Sequence, residues 1–166
     1  MKEQNMASRT TGHVLGPPTA PEKPAATEYE NDFYSWSLQQ ARLLREGQWA
    51  QIDRENVAEE IESLGREQFN KLESALRVIL IHILKWDHQS DRRSRSWILS
   101  IESQRIEIDH VLGDNPGLKP RVSEALARAY RRARIEAANE TGLEKSVFSD
   151  VCPYSFHDIM SREFGR

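Results

Sequence analysis

Cysteine is almost missing from this chain, and so are long apolar runs, clustered glycines and any surplus of positive charge. The one thiol, Cys152, has no internal partner, so no intrachain disulfide is available and a reducing, cytoplasmic compartment is expected. The longest apolar stretch, Val78 to Leu84, is interrupted by His82 and falls far short of the roughly 20 residues that span a bilayer, so no membrane span is expected. The first residues also lack the charged-then-apolar layout of a signal peptide. With a net charge of -3 and a pI near 6.0, no global positive field draws the protein to nucleic acid or anionic lipid. Binding of that kind would need a local patch. The eight glycines are scattered, mostly at predicted helix ends, and none builds a phosphate-cradling loop.

What is present is periodicity. The hydrophobic fraction is 38% and mean hydropathy is -0.69, yet the apolar residues gather into helical blocks that can bury a core. Residues 1–27 carry Pro17, Pro18, Pro21 and Pro24 with almost nothing apolar, and are expected to form a disordered leader. Residues 28–166 are expected to form a single all-helical domain. Asn31 or Asp32 caps a first helix whose apolar side reads Phe33, Trp36, Leu38, Ala41 and Leu44, and Gly47 ends it. Asp53 caps a second, with Ile52 and Val57 at the spacing of a hydrophobic staple.

From Val57 the apolar positions continue through Ile61, Leu64, Leu72, Leu76, Ile79, Leu80 and Ile83, which predicts one long helix from Asp53 to Trp86. Its second half is apolar all round and belongs at the centre of a bundle. Trp97, Ile98, Ile101, Ile108 and Val111 mark a third helix ending at Gly113, and Pro120 opens a fourth that stops at Gly142. The fourth carries Val122, Leu126, Ala129, Tyr130, Ala133 and Ala137 on one side, a small-residue stripe that permits close approach. Ser155 and Asp158 have capping-box spacing ahead of a short fifth helix. The fold class is therefore all-α: four main helices and a short C-terminal one, with one long central helix.

The segments YENDFYSWSLQQARLLREGQW, VAEEIESLG, HILKWDHQSDRRSRSW and TGLEKSVFSDVCPYSFHDI follow one another in this order between Tyr29 and Phe164. In this the chain resembles the bacterial domain of unknown function 29 family. The resemblance implies a compact helical domain, often present as several related copies in one genome, with no assigned catalytic residue or cofactor. A proline commonly precedes the charged pair of the connector in that family. This chain has Ser90 instead, which implies a less rigid loop.

Three constellations remain once the periodic positions are set aside. Glu55, Glu59 and Glu62, with Glu60 beside them, place carboxylates on one helical face. Together with His82 they offer a polar-core site at Glu59, Glu62 and His82. However, neither His82 nor His88 has a Glu three positions before it, the single Glu107–His110 pair falls short of the two such pairs that di-iron bundles use, and Glu62 and His82 lie about 30 Å apart on a straight helix. The structural alternative is that these acids favour the helix N-terminus and pair with Arg54 or Arg66. His82 itself, within the apolar stretch, is either a buried imidazole held for structural reasons or a base poised by a carboxylate. Arg77 precedes it at the Arg-x4-His spacing of a class of helical ribonuclease domains. Arg105 and His110 repeat that spacing, so it carries little weight. Cys152 is expected to be structural.

The third constellation is the connector. Lys85, Trp86, His88, Arg92, Arg93, Arg95 and Trp97 put four cations and two indoles within thirteen residues. Arg forks and indole faces suit a protein partner or single-stranded nucleic acid, while Asp87 and Asp91 dilute the charge. Alternatively the indoles plug the end of the bundle and the arginines cap or pair. A second cationic run, Arg128, Arg131, Arg132 and Arg134, reads as a solvated helix side. The expectation is a non-enzymatic interaction or regulatory module that binds a protein through the connector, with no catalytic residue, metal or cofactor assigned. RNA binding or ribonuclease action, and a metal-dependent enzyme using bundle carboxylates and histidine, are the alternatives.

Overall fold

A computed structural model describes residues 28–165; the leader expected over residues 1–27 lies outside the described residues. The chain divides after Asp53 into two compact units. Among the described residues there are six α-helices, four short 3-10 segments and no strand. None of these helices is long and apolar enough to cross a membrane.

The first unit contains α1 (Glu28–Asn31), α2 (Phe33–Arg45) and a 3-10 turn, Trp49–Gln51. Asp32 caps α2 by accepting from the Ser35 N–H at 3.0 Å, and Gly47 leaves the helix at φ 68°, a conformation that favours glycine. Tyr29, Phe33 and Trp36 form an aromatic cluster with centroids 4.7 to 5.8 Å apart. The buried stripe of α2 is Trp36, Gln40 and Leu43, whereas Phe33, Leu38 and Leu44 are exposed. Of the expected apolar side Trp36 is buried, while Gln40 and Leu43 take the inner positions expected of Leu38 and Leu44. Gln40 turns inward because its Oε1 accepts from the Asp53 N–H at 2.9 Å, while the Trp36 indole donates to the Asp53 carboxylate at 3.3 Å.

The second unit is built on α3 (Arg54–His88), which runs 35 residues without interruption at Gly65, roughly 50 Å at the usual helical rise. A 3-10 turn, Ser90–Arg92, leads to α4 (Arg95–Asp114). The six-residue segment Pro116–Arg121 then turns the chain into α5 (Val122–Thr141), so Pro120 lies before that α-helix rather than at its first residue. Gly142 ends α5 at φ 72°. The 3-10 turn Lys145–Val147 and an extended stretch precede α6 (Phe156–Ser161), whose Ser155–Asp158 capping box forms as the spacing indicated.

α3 packs against both α4 and α5. Its residues Leu72, Leu76, Ile79, Leu80 and Ile83 are fully buried, joined by Ile101 and Ile108 of α4. From α5 come Ala125, Ala129, Ala133 and Ala137, all at spacing i, i+4 and all fully buried, so this stripe of the helix brings only methyl groups to the core and permits close approach to α3. Tyr130, Phe148 and Ile159 close the core. The N-terminal half of α3 is different. Ile61 is 64% and Leu64 61% exposed, although their spacing placed them on the core stripe. Helical period shows which face an apolar residue shares, and a face is buried only where another element covers it.

Two substitutions separate the halves. Ala129→Leu should overpack the α3–α5 contact and cost about 1–3 kcal/mol in denaturant unfolding. Ile61→Ser should change stability by less than about 0.5 kcal/mol, the usual range for exposed positions. Equal losses would mean that the first half of α3 belongs to the core.

Candidate functional site: the connector cleft

The fold uses most of the connector's side chains. Lys85 donates to the Glu140 carboxylate at 2.6 Å, tying α3 to α5, and its ammonium lies 4.7 Å from the Trp97 ring centre. Trp86 is only 6% exposed, with the Phe164 ring edge-on at 5.3 Å. The Arg93 guanidinium covers the Trp86 ring at 5.0 Å and caps the end of α3 by donating from Nε to the Trp86 carbonyl at 2.9 Å. Trp97 is half-buried, 6.5 Å from the His82 ring. His88 is exposed with its ring edge-on to Phe148 at 4.9 Å. Gln89 is buried and donates to the Thr141 carbonyl at 3.3 Å. Arg92 and Arg95 stand apart: both are exposed, and neither guanidinium has a hydrogen bond or ion pair among the described residues.

Arg95 faces a cleft of about 860 Å³ between the connector, the first turns of α4 and the segment after α6. Trp86, Arg93, Arg95, Ile98, Leu99 and Phe164 line it, and Glu102 is its one acidic wall residue. Leu99 is 50% exposed at its edge. Sequence reasoning placed Trp86, Arg93 and Arg95 here. It missed Leu99 and Phe164, the latter 78 positions after Trp86, a separation that helical period does not reach.

The far wall is held by a clasp that sequence reasoning also missed. Arg162 binds Asp87 through both oxygens, at 2.9 and 2.5 Å, and the Tyr154 hydroxyl donates to the same carboxylate at 2.9 Å. Arg105 donates to the carbonyls of Ile159 and Arg162, each at 2.8 Å. Burial pushes the Asp87 carboxyl up, but the hydrogen bonds from Arg162 and Tyr154 outweigh it and hold the group below its ordinary range. Burial, then the bond to Asp87, raises the Tyr154 phenol.

The other two constellations do not converge. Glu62 pairs with Arg66 at 3.4 Å, and no group of three His, Cys, Asp or Glu side chains suited to a metal occurs among the described residues. Glu59, Glu62 and His82 are separated along a single uninterrupted helix. His82 is half-buried rather than enclosed, and its Nδ1 is buried with no hydrogen-bond partner among the described residues. Burial first, then the Lys85 ammonium, lowers its pKa against the opposing pull of Glu140, so the imidazole is neutral near pH 7. Burial raises the Cys152 thiol, away from nucleophilic reactivity.

The run on α5 is solvated only in part: Arg131 and Arg132 are exposed, as expected, but three of the four arginines reach a partner. Arg134 donates to the Phe148 carbonyl at 3.0 Å and pairs with Asp150, its side chain nearly buried. Arg128 and Arg132 reach back to Glu73 on α3, at 3.0 and 3.5 Å, and Glu73 is only 4% exposed. The contact of Arg128 with Glu73 Oε2 is one of charge, without the alignment of a hydrogen bond. Arg77 pairs with Glu136 nearby. Glu73 was legible in principle, since it shares the inward face of Phe69, Leu72 and Leu76.

This is an all-helical domain with a clasped C-terminal segment and a cleft at the α3–α4 connector. The chain belongs to the family described as Domain of unknown function DUF29, whose model matches residues 28–165. No curated protein and no solved structure matches it.

The clasp carries a pH signature. The folded pKa of Asp87 lies below the unfolded value of about 3.9, so its contribution is present above about pH 4 and is lost as pH falls through the folded value. Asp87→Asn should therefore destabilise the protein at pH 7, and its deficit against wild type should shrink in urea unfolding at pH 3. An unchanged deficit at both pH values would show that the carboxylate charge is not what the clasp uses.

Proposed function

We propose that this chain is a non-enzymatic interaction module acting in the cytoplasm, and that the connector cleft is where it binds another protein. One observation carries the reading. Arg93, Arg105, Arg134 and Arg162 are all committed to backbone carbonyls or carboxylates, while Arg95, which lines the cleft with exposed Leu99, and Arg92 in the adjoining turn have no hydrogen bond or ion pair among the described residues. Cations next to apolar surface, at the rim of a cleft, are the residue types enriched at protein contact sites. Single-stranded nucleic acid is less well supported, because the indoles that would serve as stacking platforms are covered, Trp86 by Arg93 and Phe164, Trp97 by Lys85 and His82.

A photo-crosslinking residue at position 99, used in lysate of the source cells, tests the reading. Discrete protein adducts are expected, and combining the crosslinker with Arg92→Ala and Arg95→Ala should remove them while stability changes by less than about 0.5 kcal/mol. Undiminished adducts place the contact surface elsewhere, and a large loss of melting temperature means that these arginines serve the fold.

A further inference from the structure

The wall of the cleft formed by Phe164 is held differently from the rest of the clasp. Up to Arg162 the segment is fastened by charge-assisted hydrogen bonds to Asp87 and from Arg105. After Arg162 the described residues make no hydrogen bond, and Phe164 is held by ring contacts and by packing, partly buried, at the edge of the core. Its ring meets Trp86 at 5.3 Å and an interplanar angle of 74°, with the guanidiniums of Arg162 and Arg105 at 5.1 and 5.6 Å. Together these form a slot suited to an aromatic side chain, with an indole at one side and two cations near its faces. The slot opens on the same cleft as Arg95.

We infer that the partner of this cleft is an acidic segment carrying one aromatic residue, which takes the slot between Trp86, Arg105 and Arg162 that Phe164 fills in its absence. The inference rests on the interaction reading above and adds the chemistry of the partner. Charge complementarity sets the acidic character: Arg95 in the lining and Arg92 in the adjoining turn have no carboxylate partner among the described residues, Arg93 adds a further cation, and Glu102 is the one acid among the cleft's lining residues. The present occupant sets the aromatic. Displacing it breaks no hydrogen bond, since Arg162 stays fastened to Asp87, and an incoming aromatic ring restores the apolar cover that Phe164 gives the edge of the core. A protein whose binding site is occupied by its own side chain for most of the time binds with an affinity reduced by the open fraction.

The probe is a short fluorescein-labelled peptide of Asp and Ser with one central Phe, and a second in which Ala replaces that Phe. Fluorescence anisotropy should show the Phe peptide binding Phe164→Ala roughly tenfold more tightly than wild type, and Phe164→Leu with an intermediate gain. The Ala peptide should show no such gain, and adding Arg92→Ala with Arg95→Ala should weaken binding of the Phe peptide to every form. Equal binding of the two peptides, or no gain in Phe164→Ala that melts like wild type, overturns the inference. Should Phe164→Ala fail to fold, wild type with 4-fluorophenylalanine incorporated at position 164 answers the same question. Its ¹⁹F resonance should move to the solvent-exposed position as the Phe peptide saturates, and a resonance that stays in place under saturation rules displacement out. Protein adducts at position 99 together with a failed peptide experiment would leave the interaction reading standing and remove the aromatic-slot inference.

Discussion

The larger unit depends on one constraint: the stretch of α3 from Phe69 to Trp86 has core on nearly every side. Helices are stabilised mainly by tertiary burial of their apolar face, and here α4 and α5 lie against α3 while the short α6 and the Phe148 turn complete the enclosure. The charged side chains that emerge from this stretch are paired where they emerge, whereas the His82 imidazole keeps one unpartnered nitrogen. Glu73 meets Arg128 and Arg132, Arg77 meets Glu136, and Lys85 meets Glu140, so the α3–α5 seam reads as a ladder of opposite charges. These pairs offset the cost of bringing charge near a core and fix the register of the two helices.

The same constraint explains where surplus chemistry lies. Where α3 ends, the chain leaves the core through the connector, and the need for internal pairing stops. Arg93 still serves the fold by capping Trp86, and Asp87 by receiving Arg162 and Tyr154. Arg92 and Arg95, one and two residues from Arg93, have no hydrogen bond or ion pair among the described residues. Side chains without internal partners, next to a wall that no hydrogen bond holds, are the ones that can change with least cost to stability.

Much of this was legible in the sequence, because burial writes itself as period. Leu72, Leu76, Ile79 and Ile83 gave the central helix, Ala129, Ala133 and Ala137 the close-packed face of α5, and Ser155 with Asp158 the start of α6. The misreadings share a cause. Ile61 and Leu64 carry the right period on a part of α3 that stays bare, and in α2 a glutamine takes an inner position because a backbone N–H at Asp53 needs an acceptor. Pairings across long separations, such as Asp87 with Arg162 or Trp86 with Phe164, leave no periodic trace, so the clasp and the aromatic slot came only from the structure.

Native-state hydrogen exchange, read residue by residue, tests the central constraint most directly. The slowest amides should lie within Phe69–Trp86 and exchange only through global unfolding, while amides of residues 54–66 exchange orders of magnitude faster through local opening. Uniform protection along the whole of α3 would contradict the account.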